Sequence, residues 1–509
     1  MRHLVFEFTV QPLPDSSRWK PGVASIRIPR CLLGLTLTAS IACAQRQPSA
    51  ASYRVDVLGT APPRVAVQAV LPSDGTLLTM ADSRPSDVPE VADAGWPGLV
   101  RNLTVTDAEG CAVAVTEAGA SGWMLEHPVS GPITLRYEID YAPLAQRAWP
   151  APREAGFADA DHVVLIGRSL FITTPAQQAS EVRFTLPGVW QLAAPWPEVP
   201  GVHQSAAVAS AADLTENLIA LVRDTPDVIT AGGFDLKVVA LGHWQPARSD
   251  VRRALTAALQ QLVAMIGFDG QAEYLVVMLP HTERGGESFR ASFAITSDQK
   301  PSRANMGRWG NLVAHEVFHY WNGWQLQGAD YPSSQWFQEG LTEYAANRAL
   351  VSAELIQPDE FYGKLGTHVD NYRRLATSLD APGTRKGPPL YSGGALIAFT
   401  WDVMIREATH DQRGVHDVLR ALLRITEDGA KPYAWSDIHS ALETVAPGAW
   451  TDFHRRFIHG REQLPLADTF ARIGLRMSRS IDGSTRIEVD GTAPETAETR
   501  RRALMGRSR

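Results

Sequence analysis

The chain is poor in cysteine, with three among 509 residues, which excludes a scaffold built on disulfides. Its 40 glycines and 34 prolines are too few and too scattered for a collagen-like or wholly disordered protein. Acidic residues outnumber basic ones by 55 to 48, and this net charge of −7 argues against a large nucleic-acid surface. No apolar run approaches the ~18–20 residues that a membrane-spanning helix needs. The composition therefore indicates an ordinary acidic globular protein with room for two or three domains.

The N-terminal segment carries an export pattern. Two arginines precede a short apolar run, Cys31–Ala42, which is followed by the small residues Cys43 and Ala44 and then by a polar stretch. This arrangement is typical of a secretory signal peptide, predicted here over residues 1–44, so we expect an exported protein, periplasmic or secreted. A second interpretation makes Cys43 the acylated cysteine of a lipoprotein, which would anchor the chain to a membrane without spanning it.

Beyond residue 44 the pattern of apolar and polar residues changes along the chain. Short runs of alternating apolar and polar residues, separated by Gly, Pro, Asp and Ser clusters, predict a β-sandwich-like N-terminal domain over residues 45–204. Two strands and then long helical patterns follow, which predicts a mainly helical domain over residues 205–465. Residues 466–509 are predicted to be a short C-terminal extension, partly disordered because it ends in a run of arginines.

The strongest chemical signal is the motif His315-Glu316-Val317-Phe318-His319. Positions i and i+4 of a helix share one face, so two imidazoles can bind one Zn²⁺ while the glutamate lies beside a metal-bound water. Apolar residues continue at helical spacing as far as Trp324, which predicts a helix with one buried stripe through that residue.

Two glutamates downstream make the motif more specific. Glu339 follows His319 by twenty residues, which suits a third zinc ligand from a neighbouring helix and leaves the fourth position open. Glu343 lies one turn later on the same face, where it is predicted to accept a hydrogen bond from a zinc-binding histidine. The alternative for both glutamates is a solvated helix face.

Three segments share a family pattern: His315-Glu316-x-x-His319-x-Trp321-Asn322, Trp336-Phe337-x-Glu339-Gly340-x-Thr342-x-Tyr344 and Leu390-Tyr391-Ser392-Gly393-Gly394-Ala395-Leu396. Together they resemble the glycyl aminopeptidase family of gluzincin zinc metallopeptidases. The resemblance implies an α+β multidomain protein, in which an N-terminal β-sandwich precedes a thermolysin-like, mainly helical catalytic domain with a small edge sheet. Relatives often end in a PDZ domain, for which the residues after Leu466 are too few.

The resemblance also implies a set of site residues. One Zn²⁺ per chain would be bound by His315, His319 and Glu339. Glu316 would be the general base in the hydrolysis of a peptide bond by the metal-bound water. Tyr391 would stabilise the developing oxyanion, although a core tyrosine at the start of a buried helix is the alternative.

The predicted substrate-binding strand departs from the family pattern. Exopeptidases of the family carry a Gly-Gly-Leu-Glu-His-like segment whose glutamate binds the free amine, whereas this chain has Gly285, Gly286 and Glu287 followed by Ser288. The glutamate is displaced by one position, which on a strand turns it to the opposite face. Peptide or protein substrates are expected, with exo- or endopeptidase action left open. The competing hypotheses are a zinc hydrolase of a non-peptide bond and a weakly catalytic or non-catalytic exported binding protein.

Overall fold

A computed structural model describes residues 50–60, 63–81, 95–142, 156–158, 161–186, 188–268, 270–281, 284–381 and 387–506. The predicted signal peptide and Cys43 lie outside these residues. No helix within the described ranges combines the length and the apolar character needed to cross a membrane.

The N-terminal part consists of strands joined by two short helices. The strands are β1 (Ala51–Thr60), β2 (Pro63–Thr79), β3 (Val100–Thr106), β4 (Val115–Glu117), β5 (Gly122–Asp140), β6 (Gly156–Ala158), β7 (His162–Ile166), β8 (Ser180–Thr185), β9 (Gln191–Ala193), β10 (Ser205–Val208) and β11 (Leu218–Val222), and the helices are α1 (Gly167–Leu170) and α2 (Ala211–Thr215). Seven strands form one sheet in the order β10-β8-β1-β2-β5-β3, with β4 beside β5, and four form a second sheet in the order β6-β7-β11-β9.

The two sheets enclose a common core, as the alternating sequence pattern predicts. Residues of β1 such as Val55 are fully buried against residues of β7 and β11 such as Leu165 and Ile219. Buried and exposed side chains alternate along β2, so one face of the larger sheet is apolar and the other is solvated. The predicted β-sandwich is therefore confirmed. Its strands β10 and β11 come from residues beyond 204, and both pair with strands on the N-terminal side of that position.

The smaller sheet of the sandwich is buried on both faces. Leu165 and Leu221 point into the sandwich core, whereas their neighbours Val164 and Ala220 pack against a third sheet. This five-stranded sheet has the order β12-β13-β14-β16-β15. Its strands are β12 (Asp227–Ala231), β13 (Phe234–Ala240), β14 (Ala272–Pro280), β15 (Gly285–Phe289) and β16 (Ser292–Ser297). The strands β13, β14 and β16 run parallel, and the two outer strands are antiparallel to their neighbours.

The helices that follow share one hydrophobic core with the other face of the five-stranded sheet. They are α3 (Arg248–Ile266), α4 (Met306–Phe318), α5 (Tyr331–Ser352), α6 (Pro358–Tyr372), α7 (Pro388–Ala408), α8 (Val415–Ile425), α9 (Trp435–Val445), α10 (Trp450–Phe453), α11 (Leu466–Ala471) and α12 (Glu495–Leu504). Val276, Phe293 and Ile295 of the sheet share one core with these helices. The layers are thus sheet, sheet, sheet and helices, with β15 at the free edge of the third sheet. The predicted α+β architecture is confirmed.

The C-terminal extension differs from the prediction of partial disorder. A hairpin of β17 (Leu475–Arg479) and β18 (Thr485–Val489) precedes α12, and this helix is tied both to the hairpin and to α5. Arg501 is buried and donates to the Gly474 carbonyl at 2.7 Å, while the Leu504 carbonyl accepts from Arg348 at 2.6 Å. The prediction of a solvated tail assumes that all the arginine side chains stay in water. Arg501 instead donates hydrogen bonds to buried backbone carbonyls.

Candidate metal centre

The helix α4 presents the His-Glu-x-x-His motif to the interior. His315 and Glu316 are both buried on it, and the helix ends at Phe318 rather than continuing through Trp324 as predicted. The chain forms a π-type turn over residues 320–325 and leaves helical geometry at Asn322 and Gly323. The apolar spacing continues past this point, so the sequence pattern did not reveal the break.

The break at Asn322 serves the site. The buried Asn322 amide donates to the carbonyls of Phe337 and Gln338 at 3.2 and 3.0 Å, so it ties the turn to the helix that carries Glu339. The Asn322 carbonyl lies 3.0 Å from Nδ1 of His319. This contact fixes the ring and favours the tautomer that leaves Nε2 free for a metal.

Close packing of α5 on α7 brings Glu339 to the motif. A Cβ on Gly340 would lie 2.3 Å from the Gly394 Cα, and one on Gly394 would lie 1.9 Å from the Trp336 carbonyl oxygen. Only glycine permits this approach of two helix backbones. It places Glu339 of α5 and Tyr391 of α7 at the same end of the helix pair.

The three predicted ligands converge. The Glu339 Oε2 atom lies 3.3 Å from Nε2 of His315 and 3.5 Å from Nε2 of His319. Tetrahedral zinc with bonds of ~2.0–2.1 Å has edges of about 3.3 Å between ligand atoms, which these distances match. Within the described part of the chain, these residues form the single group of three such side chains whose ligand atoms all lie within 4.8 Å of one another. The donor set, two imidazoles and a carboxylate, fits zinc.

A polar network lies behind the histidine pair. The Glu343 carboxylate is 3.2 Å from Nδ1 of His315, which is the contact predicted from the sequence. Amides of Asn311 and Asn347 donate to the same carboxylate at 3.3 and 2.9 Å. Burial alone would raise the pKa of Glu343, but the hydrogen bond from His315 and the nearby charges of His368, His315 and Lys364 together outweigh burial and hold the pKa well below its ordinary range. Glu343 is therefore a fixed negative charge behind His315.

The same contacts set the charges of the ligands. Burial by itself lowers the pKa of His315, but hydrogen bonds with Glu339 and Glu343 raise that pKa to about 10. Burial would raise the pKa of Glu339, and the two histidines instead hold it well below its ordinary range. The ligand-free cluster thus carries a proton that a metal ion displaces when it binds.

Glu316 lies against the edge strand. A Cβ on Gly286 of β15 would be 2.0 Å from the Glu316 Oε1 atom, so the carboxylate occupies the space that a side chain at 286 would need. Burial raises the pKa of Glu316 above its ordinary value, and the neighbouring histidines only partly offset this effect. A buried carboxyl with a raised pKa is suited to accept and release protons near neutral pH.

Tyr391 lines the same space from the first turn of α7. Its ring stacks on that of His315, with centroids 6.1 Å apart and planes 16° apart, and its hydroxyl hydrogen-bonds to Glu339. Burial raises the pKa of Tyr391 well above its ordinary value, with a contribution from the Glu339 charge. The hydroxyl therefore stays protonated and can donate.

The strand β15 presents little side chain to the site. Gly286 pairs with Ile295 and Ser288 with Phe293, both on the helix side of the sheet, and the Ser288 hydroxyl lies 3.2 Å from Nε1 of Trp324. Glu287 instead pairs with Ala294, whose side chain packs toward the sandwich. The register thus places Glu287 on the opposite face of the strand from Ser288, although Glu287 still borders the cleft and its charge acts on Glu316. Ser288 occupies the position on the helix side of the strand.

The site residues border one cleft of about 1020 Å³, which also includes groups that the sequence did not single out. His368 is one of these groups, because its Nε2 is 3.6 Å from Glu343 and its Nδ1 is 3.0 Å from the Ser392 hydroxyl. Arg284 lies at the rim beside Gly285. Neither residue has a local sequence signal, because each reaches the cleft from an element remote from the motif.

Comparisons with known proteins agree with this geometry. Residues 308–381 match the family model of the M61 glycyl aminopeptidases. A comparison with curated proteins gave no significant match. Among solved structures, an aminopeptidase N family protein from Idiomarina loihiensis is similar with a TM-score of 0.72 at 17% identity, covering 85% of this chain and 79% of that chain.

Two further structures share the fold. The M1 zinc metallopeptidase from Deinococcus radiodurans has a TM-score of 0.52 at 13% identity, over 82% of this chain and 94% of that one. A mutant of it bound to a Tyr-Ser-Ala substrate has a TM-score of 0.51 at 14% identity, with the same coverage of 82% and 94%. The match over residues 308–381 includes two of the three motifs and confirms there the predicted resemblance to the glycyl aminopeptidase family, while the solved structures share the fold.

Proposed function

We propose that the protein is a zinc-dependent peptidase in which His315, His319 and Glu339 hold one Zn²⁺ per chain. The observation that carries this proposal is the convergence of the three ligand groups, in which Glu339 Oε2 lies 3.3 and 3.5 Å from the two histidine Nε2 atoms, close to the edge of a tetrahedral zinc site, with Glu316 buried nearby. When bound, zinc acts as a Lewis acid and lowers the pKa of water toward ~7. Tyr-Ser-Ala bound to a structural neighbour supports a peptide as the substrate class.

Glu316 is proposed as the general base. Its carboxylate, raised in pKa by burial, accepts a proton from the attacking water and returns it to the amine nitrogen of the leaving fragment. Gly286 supports this role because its lack of a side chain lets the peptide backbone and the carboxylate approach each other closely.

Tyr391 is proposed to stabilise the oxyanion. Its high pKa keeps the hydroxyl protonated, and its stacking on His315 directs it toward the space between Glu339 and the cleft. On substrate binding the hydroxyl would transfer its hydrogen bond from Glu339 to the oxygen that gains negative charge, which is the role of a preorganised oxyanion donor.

Recognition of a free α-amine is not built into the edge strand. The helix-facing position after Gly286 is Ser288, and Glu287, which borders the cleft, is paired on the other face of the strand. We therefore propose that the enzyme cleaves peptides whether or not their N-terminus is blocked, so that its action is not confined to an aminopeptidase mode.

Export is proposed on the sequence pattern of residues 1–44 alone. The expected outcome is a processed protein in the periplasmic or secreted fraction, with an N-terminus near residue 45 by mass spectrometry. A full-length protein that stays in the cytoplasmic fraction would contradict this proposal.

The decisive experiment compares the wild type with Glu316→Gln. Both should contain about one zinc per chain, because Glu316 is not among the ligands, whereas peptide turnover should fall by about 10²–10⁴-fold without the base. Glu354→Gln removes a carboxylate from an exposed turn and is the matched control. Equal turnover by wild type and Glu316→Gln, with zinc bound in both, would refute the proposed mechanism.

A further inference from the structure

Arg284 occupies the end of the cleft opposite Trp324. Side chains alternate along a strand, so residue 284 shares the helix-facing side with Gly286 and Ser288. Its guanidinium confirms this direction, because Nη2 donates to the Arg308 carbonyl at 3.1 Å and to Asn311 Oδ1 at 3.3 Å, both on α4. Arg284 therefore spans the rim of the cleft from the edge strand to the zinc helix.

The Arg284 guanidinium is held in place by hydrogen bonds to neutral oxygens and not by an ion pair with a carboxylate of the described residues. Asn311 is itself fixed, since its amide donates to Glu343, and both contacts of Arg284 use neutral oxygens and a single nitrogen. Nη1 and Nε of the planar fork have no hydrogen bond to a described residue and remain available for a bidentate acceptor. Among the residues that the structure describes, Arg284 forms no ion pair within 4.0 Å.

A second cation lies close to this end. Lys364 of α6 likewise has no ion pair with a described residue, and both its burial and the nearby charge of Arg284 lower its pKa. The carboxylates whose charges act on the two cations are Glu316, Glu343, Glu360 and Asp298. Glu343 is already engaged by His315 and two amides, and no carboxylate of the described residues lies within 4.0 Å of either cation, so both keep room for a direct anionic partner.

The strand direction gives this charge a place on the substrate. Arg284 immediately precedes the N-terminal end of β15. A peptide that pairs antiparallel with this strand therefore has its C-terminal residues at the Arg284 end. Arg284 is two residues from Gly286, about 7 Å along the strand. A carboxylate one or two residues after the scissile bond would therefore reach its guanidinium.

We propose that Arg284, supported by Lys364, forms a subsite for a carboxylate on the leaving-group side of the scissile bond, so that the preferred substrates are peptides with a negative charge there. This inference rests on the proposed peptidase function. The carboxylate has two possible sources, the C-terminus of a short peptide or an Asp or Glu side chain, and the chemistry recognised is the same.

The test uses four alanine-based peptides of equal length. One ends in a free acid and one in an amide, while the other two are amides with Asp or Asn placed one residue after the cleavage site, which mass spectrometry locates. For zinc-loaded wild type, kcat/KM should be about 10- to 100-fold higher for a carboxylate peptide than for its neutral partner. The ratio of kcat/KM for the free acid to that for the amide measures recognition of a C-terminal carboxylate. The ratio for the Asp peptide to that for the Asn peptide measures recognition of a side-chain carboxylate.

Variants connect this preference to the residue. Arg284→Gln should reduce the carboxylate-to-neutral ratio to near one, and Arg284→Lys should restore part of it. Arg303→Gln, which removes an exposed arginine outside the cleft lining, should leave the ratio unchanged. A wild-type ratio near one for both pairs, or a ratio that Arg284→Gln does not alter, would overturn the subsite while leaving the peptidase intact. Absence of turnover of every peptide by the zinc-loaded wild type would overturn both proposals.

Discussion

The two walls of the cleft are built in different ways. The helical wall is formed by α4, α5 and α7. Buried hydrogen bonds hold its groups, such as those from the Asn322 amide to carbonyls of α5 and between Glu343 and His315. The strand wall is β15, the edge strand of the five-stranded sheet, which offers two glycines and a serine. Metal chemistry needs fixed ligands, whereas a substrate needs space and an edge to pair with. The difference separates residues that set reactivity from those that set selectivity.

The sharpest way to break this division is to alter Gly286, the strand residue against which the proposed base packs. In Gly286→Ala the new methyl group would lie 2.0 Å from the Glu316 carboxylate oxygen, which must move. Because the atom displaced is the end of a flexible side chain, we expect the fold and the zinc content to survive while kcat falls by about 10²–10³-fold. Steady-state kinetics, metal analysis and thermal unfolding together check this.

The matched control for that change is Gly363→Ala, at a helical glycine with open space around its Cα. It should leave kcat unaltered. Unchanged kcat in Gly286→Ala would mean that the carboxylate has room to adjust, and that the strand wall has no part in reactivity.

The helical wall is tested by Glu343→Gln. The glutamine oxygen can still accept from Asn311 and Asn347, but its NH2 group then faces Nδ1 of His315, so both the negative charge behind His315 and the acceptor for its N–H are lost. We expect zinc to bind about 10- to 100-fold more weakly, as measured by competition with a chelator. Affinity equal to that of the wild type would show that His315 is oriented by packing alone.

The smallest effect should come from blocking the substrate amine. Because Ser288 rather than a glutamate lies on the helix side of β15, free and N-acetylated versions of one peptide should differ by less than about threefold in kcat/KM. An ion pair with the free amine would be worth more than that. A strong preference for the free amine would locate an anionic partner elsewhere in the cleft and would restore an aminopeptidase assignment.

The sequence predicted the parts of this molecule that depend on local spacing. The i, i+4 histidines, the carboxylate twenty residues later and Glu343 one turn beyond all lie where the motifs indicated, and so does Glu287 on the far face of its strand. The end of α4 was wrong by several residues because Asn322 breaks the helix through contacts with residues 337 and 338.

Other features depend on contacts between distant segments, which no local pattern encodes. His368 and Arg284 come to the cleft from α6 and from the start of the edge strand, and their partners Glu343 and Asn311 lie on two further helices. The order of the C-terminal extension is a similar case, because it depends on buried carbonyls at Gly474 and Leu504 that accept from arginines.

The small sheet that is buried on both faces has a consequence for cutting the molecule. One face of this small sheet packs against the larger sheet of the sandwich, and the other face packs against the five-stranded sheet. An excised fragment beginning at residue 205 would lose β7 and would expose the apolar side of β13 and β14. We expect the fragment to aggregate when expressed alone, and the intact protein to unfold in one calorimetric transition rather than two. The five-stranded sheet, including its edge strand β15, would then need the N-terminal domain in order to fold.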